Sequence, residues 1–518
     1  MSAQDWPPRL DSAHEQVLLD LASDYALSHG LVLRPVASSP GAAPAQTSAI
    51  HAPYSLYPSA LPRRLFEHAL ALQPAYNDLY ARVTADDDFL DRVVGGAVSK
   101  VDEFQGRLYD IWKAVKAEGI KQPLSLGLFR SDYLVHAPEG AEPSEHAIKQ
   151  VEFNTISSSF GALSTRVGEL HRYLLASGAY PPHAALAPSA LPQNGALAGL
   201  AGGLAAAHRA YGVDEAVVLM VTQDNERNAF DQRPLEYELV DKHGIRLLRV
   251  PFSELRTTLS LSPSHSLVYH APHAPAPVEV SLVYYRTAYA PTDYYTAAEW
   301  ASRLLIERSR AIKCPSVAMQ LAGAKKVQQV LASRTELAHF VPSPDARASL
   351  EASFTGLFPL DDSPAGEAAA RRARQEPGAF VLKPQREGGG NNIYRADIPP
   401  FLDALEADDA NKAAGAGGGG APRGREGYIL MSLIEPPRGV EQVLVKAGEA
   451  RGARAEVVSE LGVYGVVLLR EDVDGSRGGA PEVLVNETVG HLLRTKASSS
   501  DEGGVAVGFS VIDSPLLV

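Results

Sequence analysis

Residues 380 to 394 read FVLKPQREGGGNNIY: an apolar run closed by Lys383, then Arg386, Glu387, three glycines and two asparagines. The bare glycines are open to two readings: a flexible turn, or a loop whose backbone N–H groups close over phosphates with no Cβ in the way. The spacing is not the Walker pattern G-x-x-x-x-G-K-S/T, so the neighbours must decide. Lys383 suits either a surface strand end or a lysine that meets an anion. Glu387 is either a solvated loop residue or a carboxylate beside phosphates. The second case needs a cation between them, and Mg2+ is the oxygen-seeking ion usually shared by carboxylates and phosphates. Two more oxygens lie far back in VEFNT, where Glu152 and Asn154 share one strand face and Val151 and Phe153 the other. That face is either the polar side of an edge strand or, with Glu387, three ligands of one octahedral ion.

Near the C-terminus, GHLLRTKASSSDEGGVAVG puts Arg494 and Lys496 at i and i+2, ahead of a small-residue loop. Gly503, Gly504 and Gly508 give such a loop mobility and Ala506 permits close approach, as a lid requires. His491 reads as a packed or capping histidine, because no nucleophile pairs with it.

These side chains need strands to carry them. Alternation predicts strands over 124–135 (LSLGLFRSDYLV) and 149–155 (KQVEFNT). Upstream, residues 11–30 read as a helix capped by Asp11 or Ser12 and ended by Gly30. A short strand, LVLRPV, a loop over 37–49 and two or three helices across 62–118 follow. NGALAGLAGGLAAAHRA reads as a small-residue helix packed tightly in a core. From about 214, strands EAVVLMV, IRLLRV and VSLVYYRTAY alternate with a helix, RPLEYELVDKHG, the pattern of a small parallel α/β unit ending near 322. A helical pair follows, TAAEWASRLLIERS and SVAMQLAGAKKVQQVLAS. Beyond 350, strands alternate with inserts. Residues 411–427 are too rich in Gly and Ala to order themselves, and 471–482 are a hairpin tip or loop.

The bulk composition narrows the function classes. At 518 residues, 45% apolar and 21% charged, the chain has the balance of a soluble protein with a large core. A net charge of −13 argues against a nucleic-acid or anionic-membrane surface, while leaving room for a local cation cluster around a small anion. Cys314 is the only cysteine, so no intrachain disulfide forms, which suits an intracellular setting. The start, MSAQDWPPRLDSAHEQ, lacks the basic end and apolar core of a signal peptide, and no run approaches ~18 apolar residues. The expectation is a cytoplasmic protein.

Five blocks, VEFNTISSSFG, NERNAFDQR, QLAGAKKVQQVL, VLKPQREGGGNN and HLLRTKASSSDEGGVA, resemble those of the eukaryotic-type glutathione synthetases, in that family's order from about residue 124 to the C-terminus. The N-terminal helical part fits less distinctively. The resemblance implies an ATP-dependent ligase that joins γ-glutamylcysteine to glycine through an acyl phosphate, with Mg2+, as a homodimer. The implied fold class is α/β (α+β mixed), an ATP-grasp fold with an inserted parallel α/β substrate-binding domain. Its parts would be 1–122, mainly helical; 123–213, carrying metal and substrate residues; 214–322, substrate-binding; and 323–518, nucleotide-binding.

In that pattern Glu152, Asn154 and Glu387 match magnesium ligands. Glu152, Lys325, Lys383, Pro384, Gln385, Arg386, Glu387, Gly388, Gly389, Gly390, Asn391, Asn392, Tyr394, Met431, Ser432, Leu433, Ile434, Glu460, Lys496 and Glu502 match nucleotide contacts. Arg130, Ile156, Ser157, Ser158, Ser159, Glu226, Arg227, Asn228, Gln232, Arg286, Thr287, Ala288, Tyr289, Arg494, Val505 and Ala506 match peptide-substrate contacts. The implied catalytic residues are Arg494 and Arg130, whose guanidiniums suit substrate carboxylates, and Lys383, which suits the nucleotide. Mobile loops are implied at the glycine triplet, at 286–296 and at 497–508. Val507 stands where glycine-using members usually carry a second alanine. That keeps an alanine- or serine-accepting ligase open, beside a non-catalytic nucleotide-binding protein.

Overall fold

The strand Leu124–His136 is the axis of the molecule. Nearly all of it is buried on both faces, so it can only lie inside a sheet. One edge pairs antiparallel with Gly452–Arg470 along almost its whole length. The other edge changes partner. Ser125 meets the parallel strand Ile312–Cys314, whereas Arg130 onward pairs antiparallel with Ala147–Asn154. The computed structural model describes residues 6–36, 45–272, 276–385, 391–412, 424–473, 475–476, 479–501, 503–505 and 508–518. Among them a 13-stranded sheet runs outward from this axis. On one side lie Gly452–Arg470, Glu482–Ala497, Ser510–Asp513, Tyr54–Ser55 and Glu441–Val445. On the other, Ile312–Cys314 leads to Val278–Tyr285, which is parallel to Val217–Thr222, itself parallel to Leu247–Pro251. The parallel α/β pattern read from 214 onward is therefore present, and its strands continue the main sheet.

A second sheet, Leu357–Phe358, Tyr428–Ser432, Phe380–Pro384 and Ile393–Tyr394, is antiparallel throughout. Period-two alternation divides its strand Phe380–Pro384. Phe380 and Leu382 pack under the helix Pro364–Gln375 with Ala369, Ala370 and Ala373. Val381 points the opposite way, against Met431 and Ile434, and Lys383 shares its parity. The strand register thus turns Lys383 out of the helix-covered core.

The helices follow local rules. Ser12–His29 starts at Asp11, whose carboxylate accepts from the N–H groups of Ala13 and His14, and ends at Gly30 with φ 80°. Ala297–Glu307 begins in a capping box of Thr296 and Glu299. The small-residue helix Ala196–Tyr211 lies close against the main sheet: a Cβ on Gly199 would come 2.3 Å from the Val489 Cβ. Arg63–Ala85 and Glu103–Glu118 are the long helices of the N-terminal region. Cys314, on the strand Ile312–Cys314, is buried in the core.

Two expectations are corrected. The strand expected in LVLRPV is only Val32–Leu33. The helix expected across SVAMQLAGAKKVQQVLAS is two helices, Val317–Ala322 and Lys325–Leu331. The break falls at Gly323, where a Cβ would sit 2.3 Å from the Thr155 Oγ1, so the backbone approaches the end of the neighbouring strand closely. The segment 471–482 does join two antiparallel strands, Gly452–Arg470 and Glu482–Ala497. Residues 413–423 of the expected insert lie outside the described residues.

Candidate active site

The strand Ala147–Asn154 is held by its apolar face. Phe153 stacks on Tyr80 with ring centroids 3.8 Å apart and packs beside Tyr76 and Phe129. That anchor sends Glu152 and Asn154 to the opposite face. Glu152 accepts from the Lys325 Nζ at 3.0 Å. Burial opposes its ionisation, but the charges of Lys325, Lys383 and Arg494 overcome this and hold the carboxyl well below the usual carboxylate range. The break in the helix pair delivers Lys325, the first residue of Lys325–Leu331. Lys383 arrives from the second sheet and donates to the Val151 carbonyl at 2.8 Å. A lysine from a helix and one from the second sheet therefore meet the same strand.

Asn154 begins the next cluster. Its Nδ2 donates to the Arg130 carbonyl at 3.1 Å and to the Asp132 Oδ2 at 3.0 Å, which fixes its amide orientation. Arg130 directs Nε and Nη2 at the two oxygens of Asp132, at 2.6 and 2.8 Å, and Nη1 at the Ser159 carbonyl at 3.3 Å. The paired edge that suits a substrate carboxylate is thus engaged within the protein. Arg494 donates through Nη2 to Asp132 at 2.9 Å and to Glu460, which faces it across the strand pair. Burial raises the Glu460 carboxyl, partly offset by Arg494. Tyr464 closes the cluster, its hydroxyl donating to the Ser159 carbonyl at 2.6 Å.

A third group surrounds Arg286. Its Nη2 donates to the Asp231 Oδ2 at 2.8 Å and the Ser159 Oγ at 3.1 Å. Asp231 also accepts from the N–H groups of Phe160 and Ala162, at the start of the helix Gly161–Ala176. One carboxylate thereby holds both a helix terminus and a guanidinium. Ser157, Phe160, Asn225 and Ala288 all have positive φ, between 53° and 74°. Such backbone is costly for residues with a Cβ and gathers at ligand sites. Buried without a hydrogen-bond partner among the described residues are the Arg286 Nε and Nη1, the Ser158 Oγ and the Asn228 Oδ1. Buried polar atoms in that state call for a ligand or water.

Glu226 accepts from the Asn228 N–H at 2.7 Å and the Gln232 Nε2 at 2.6 Å. Gln232 in turn accepts from the Arg249 Nε at 3.1 Å. The Ser157 Oγ donates to the Tyr285 and Thr287 carbonyls, Gln320 donates to the Ala288 carbonyl, and Tyr289 accepts from Gln223. Ile156 and Val505 are buried apolar residues, and Arg227 donates to the Arg34 carbonyl.

On the other side Met431 is buried against Val381 and Ile434, with Leu433 packed beside them. The N–H groups of Ser432 and Leu433 donate to the Gly356 and Ala379 carbonyls, each at 2.8 Å. Pro384 pairs with Tyr428 in the sheet, Gln385 accepts from the Lys326 N–H, and Asn392 donates to the Tyr394 hydroxyl. Lys496 donates to the Asp501 carbonyl at 2.6 Å, and Asp501 is ion-paired with Arg395. Arg386, Glu387, Gly388, Gly389, Gly390, Glu502 and Ala506 lie outside the described residues. Asn391 is described and exposed.

The donor set fits a hard divalent cation. Glu152 offers anionic oxygens, and Asn154, with Nδ2 committed to Asp132, presents an Oδ1 that carries no hydrogen bond among the described residues. No group of three or more His, Cys, Asp or Glu suited to a metal occurs among the described residues, so a second acidic ligand would come from elsewhere.

Sequence reasoning missed Asp132, Asp231, Arg249, Gly462 and Tyr464. The signal for Asp132 was present: Arg130 and Asp132 are opposite charges at i and i+2 in an apolar strand, the same parity that singled out Glu152 and Asn154.

A family model described as eukaryotic glutathione synthase, ATP-binding domain, matches residues 12–517. The glutathione synthetase of Mus musculus is 39% identical over 506 residues, covering 98% of this chain and 97% of that one. The glutathione synthetase of Homo sapiens is 38% identical over 515 residues, covering 99% of each. A chloroplastic glutathione synthetase of Solanum lycopersicum is 38% identical over 90% of this chain and 78% of its own. The solved structure of a glutathione synthetase-like effector from Globodera pallida, in its apo form, has the same fold, with a TM-score of 0.72, 23% identity and 98% of both chains covered. With the architecture and the full-length match in agreement, this chain belongs to the eukaryotic glutathione synthase family of ATP-dependent ligases, of ATP-grasp fold.

Proposed function

We propose that the protein ligates γ-glutamylcysteine to glycine, converting ATP to ADP and phosphate. One observation carries the reading. On the strand Ala147–Asn154, Glu152 meets Lys325, and two residues on Asn154 meets Arg130. A cation cluster suited to a triphosphate therefore adjoins one suited to a peptide carboxylate.

Amide formation from a free carboxylate needs a better leaving group than oxide. The γ-glutamylcysteine carboxylate attacks the γ-phosphorus and releases ADP, giving an acyl phosphate. The glycine amine then adds to the carbonyl, phosphate departs and the amine proton passes to solvent. The first step is governed by positioning and charge neutralisation. Lys325 and Lys383 bind phosphate oxygens, with Lys496 beside them. Arg494 orients the reacting carboxylate through its Nε and Nη1, which have no protein partner among the described residues. Arg286, Ser158 and Asn228 bind the peptide through their unpaired polar atoms. Glu226 and Gln232 complete that wall, and Met431 to Ile434 with Tyr394 flank the base. Glu152, Asn154 and Glu387 would hold Mg2+, whose chemistry when bound is to neutralise phosphate charge.

A homodimer suits the exposed apolar residues Val17 and Leu27 on Ser12–His29, Tyr173 on Gly161–Ala176, and Tyr237 and Val240 at the end of Ala229–Glu238, because these helices pack as one group. Val17→Glu with Tyr237→Glu is expected to sediment as a monomer. No described helix is long and apolar enough to cross a membrane.

The deciding measurement is coupled ADP release with γ-glutamylcysteine while glycine, alanine and serine are offered in turn. Glycine-dependent release is expected. Faster release with alanine or serine would move the protein to the alternative acceptor class, and no release with any of them would end the ligase reading. Arg494→Ala is expected to lower kcat/KM for γ-glutamylcysteine at least about a hundredfold.

A further inference from the structure

Asp132 has no ligand of its own in the reading above, yet three residues assigned to ligands, Arg130, Asn154 and Arg494, converge on it. It is fully buried, in mid-strand. Its Oδ1 accepts from the Arg130 Nε at 2.6 Å. Its Oδ2 accepts from the Arg130 Nη2 at 2.8 Å, the Asn154 Nδ2 at 3.0 Å and the Arg494 Nη2 at 2.9 Å. An ionised carboxylate offers about four lone-pair sites, and it is met by four donors, one on Oδ1 and three on Oδ2. Its side chain therefore works through these partners.

Each partner is constrained in a specific way. Arg130 is fixed by a two-bond fork. Arg494 is held by Nη2 alone, which shares its hydrogens between Asp132 and Glu460. That leaves its Nε and Nη1 directed elsewhere. Asn154 has its Nδ2 turned inward, so its Oδ1 is the atom presented outward. The electrostatics agree: Arg130 disfavours the charge on Arg494, while Asp132 favours the charge on both. Without an anion between them, two neighbouring guanidiniums would separate.

Gly462 supplies the space. It lies directly opposite Asp132 in the strand register. Its φ is not in the left-handed region, so backbone conformation does not call for glycine. A Cβ there would fall 2.8 Å from the Arg130 Cδ and 2.8 Å from the Asp132 Oδ1. The glycine is needed so that the Arg130–Asp132 fork can lie flat over the neighbouring strand.

We propose that Asp132 is a positioning residue: one carboxylate, given room by Gly462, sets the approach of Arg130 and Arg494 to the peptide carboxylate and the orientation of the Asn154 amide. This rests on the ligase reading of the same site. It predicts that loss of the charge misplaces groups on the peptide side and leaves nucleotide binding by Lys325 and Lys383 largely intact.

The test is Asp132→Asn, alone and combined with Arg494→Ala, with ADP affinity measured by calorimetry beside steady-state kinetics. The single variant is expected to bind ADP within about threefold of wild type while kcat/KM for γ-glutamylcysteine falls about a hundredfold. In the Arg494→Ala background the same substitution is expected to cost less than it does alone, because the part of its effect that passes through that arginine is already lost. Near-normal kcat/KM, or losses that multiply in the double variant, would overturn the proposal. Should Asp132→Asn fail to fold, Gly462→Ala decides, since it displaces the fork without removing charge. The same split between ADP affinity and turnover supports the proposal. Wild-type turnover in folded Gly462→Ala, or failure of both variants to fold, overturns it. A wild-type enzyme that releases no ADP with γ-glutamylcysteine and any acceptor marks failure of the ligase reading instead.

Discussion

Asp231 and Asp132 share a design in which one buried carboxylate serves more than one structural client. Asp231 closes the N-terminus of Gly161–Ala176 and pairs with Arg286, both fully inside the protein. Removing one partner of such a pair leaves an uncompensated buried charge. Asp231→Asn is expected to destabilise the fold by about 2–4 kcal/mol in urea unfolding. It is also expected to raise KM for γ-glutamylcysteine more than KM for ATP if Arg286 binds the peptide as proposed. Equal changes in both KM values would argue that Asp231 serves the helix alone. At this scale the sequence was informative where parity was simple. Glu152 and Asn154 could be placed on one face from alternation alone, and Asp132, opposite Glu152 on the neighbouring strand, obeyed the same rule. The orphaned atoms of Arg286 could not be foreseen, since they depend on what the fold fails to supply.

Among the elements, the small-residue helix Ala196–Tyr211 shows how propensity and packing pull in opposite directions. In an exposed helix, Gly to Ala stabilises by about 1 kcal/mol. At Gly199 the added Cβ would lie 2.3 Å from the Val489 Cβ on the strand Glu482–Ala497. Overpacking of that kind costs about 1–3 kcal/mol and exceeds the propensity gain. Gly199→Ala is therefore expected to lower the urea midpoint, and an unchanged or raised midpoint would show that the strand yields. The run of Ala and Gly made this helix and its tight packing legible in advance. The break at Gly323 was not, because QLAGAKKVQQVL keeps helical periodicity through it. The cause is a contact with Thr155, far away in sequence, and only tertiary structure reveals it.

In the molecule as a whole, acid stability is set by a polar knot linking the N-terminal region to the last strands. Asp513 accepts from Ser55, Ser59 and Thr495, and His171 bonds Ser514 and the Ser55 carbonyl. Burial lowers His171 to about 4 from the usual 6.5, so its contribution is present above 6.5 and is lost as pH falls through 4. Burial raises Asp513 to about 6 from 3.8, so its contribution is present below 3.8 and is lost as pH rises through 6. Between pH 4 and 6 the two slopes oppose, each at about 1.4 kcal/mol per unit of pH at most. Asp513→Asn is expected to steepen the fall in unfolding free energy toward acid, and His171→Gln to flatten or invert it, in urea titrations across that range. Identical pH profiles for both variants and wild type would show that neither group titrates there. At this scale the family resemblance carried the fold, and the strand order, with the substrate-side strands continuous with the main sheet, came only from the coordinates.

Cys314 deserves its place in that picture because the enzyme's proposed substrate and product are both thiols. Its side chain is sealed in the core, and burial raises its pKa, so almost no thiolate forms there near neutrality. A catalyst working in a pool of small thiols and their oxidised dimers thus carries no handle by which they could cap it. Titration with a chromogenic aromatic disulfide should detect no sulfhydryl in the folded chain and one after denaturation, matching the single cysteine. Ligation should run undiminished as the surrounding redox balance shifts, and fast labelling of the native enzyme would show that the seal leaks.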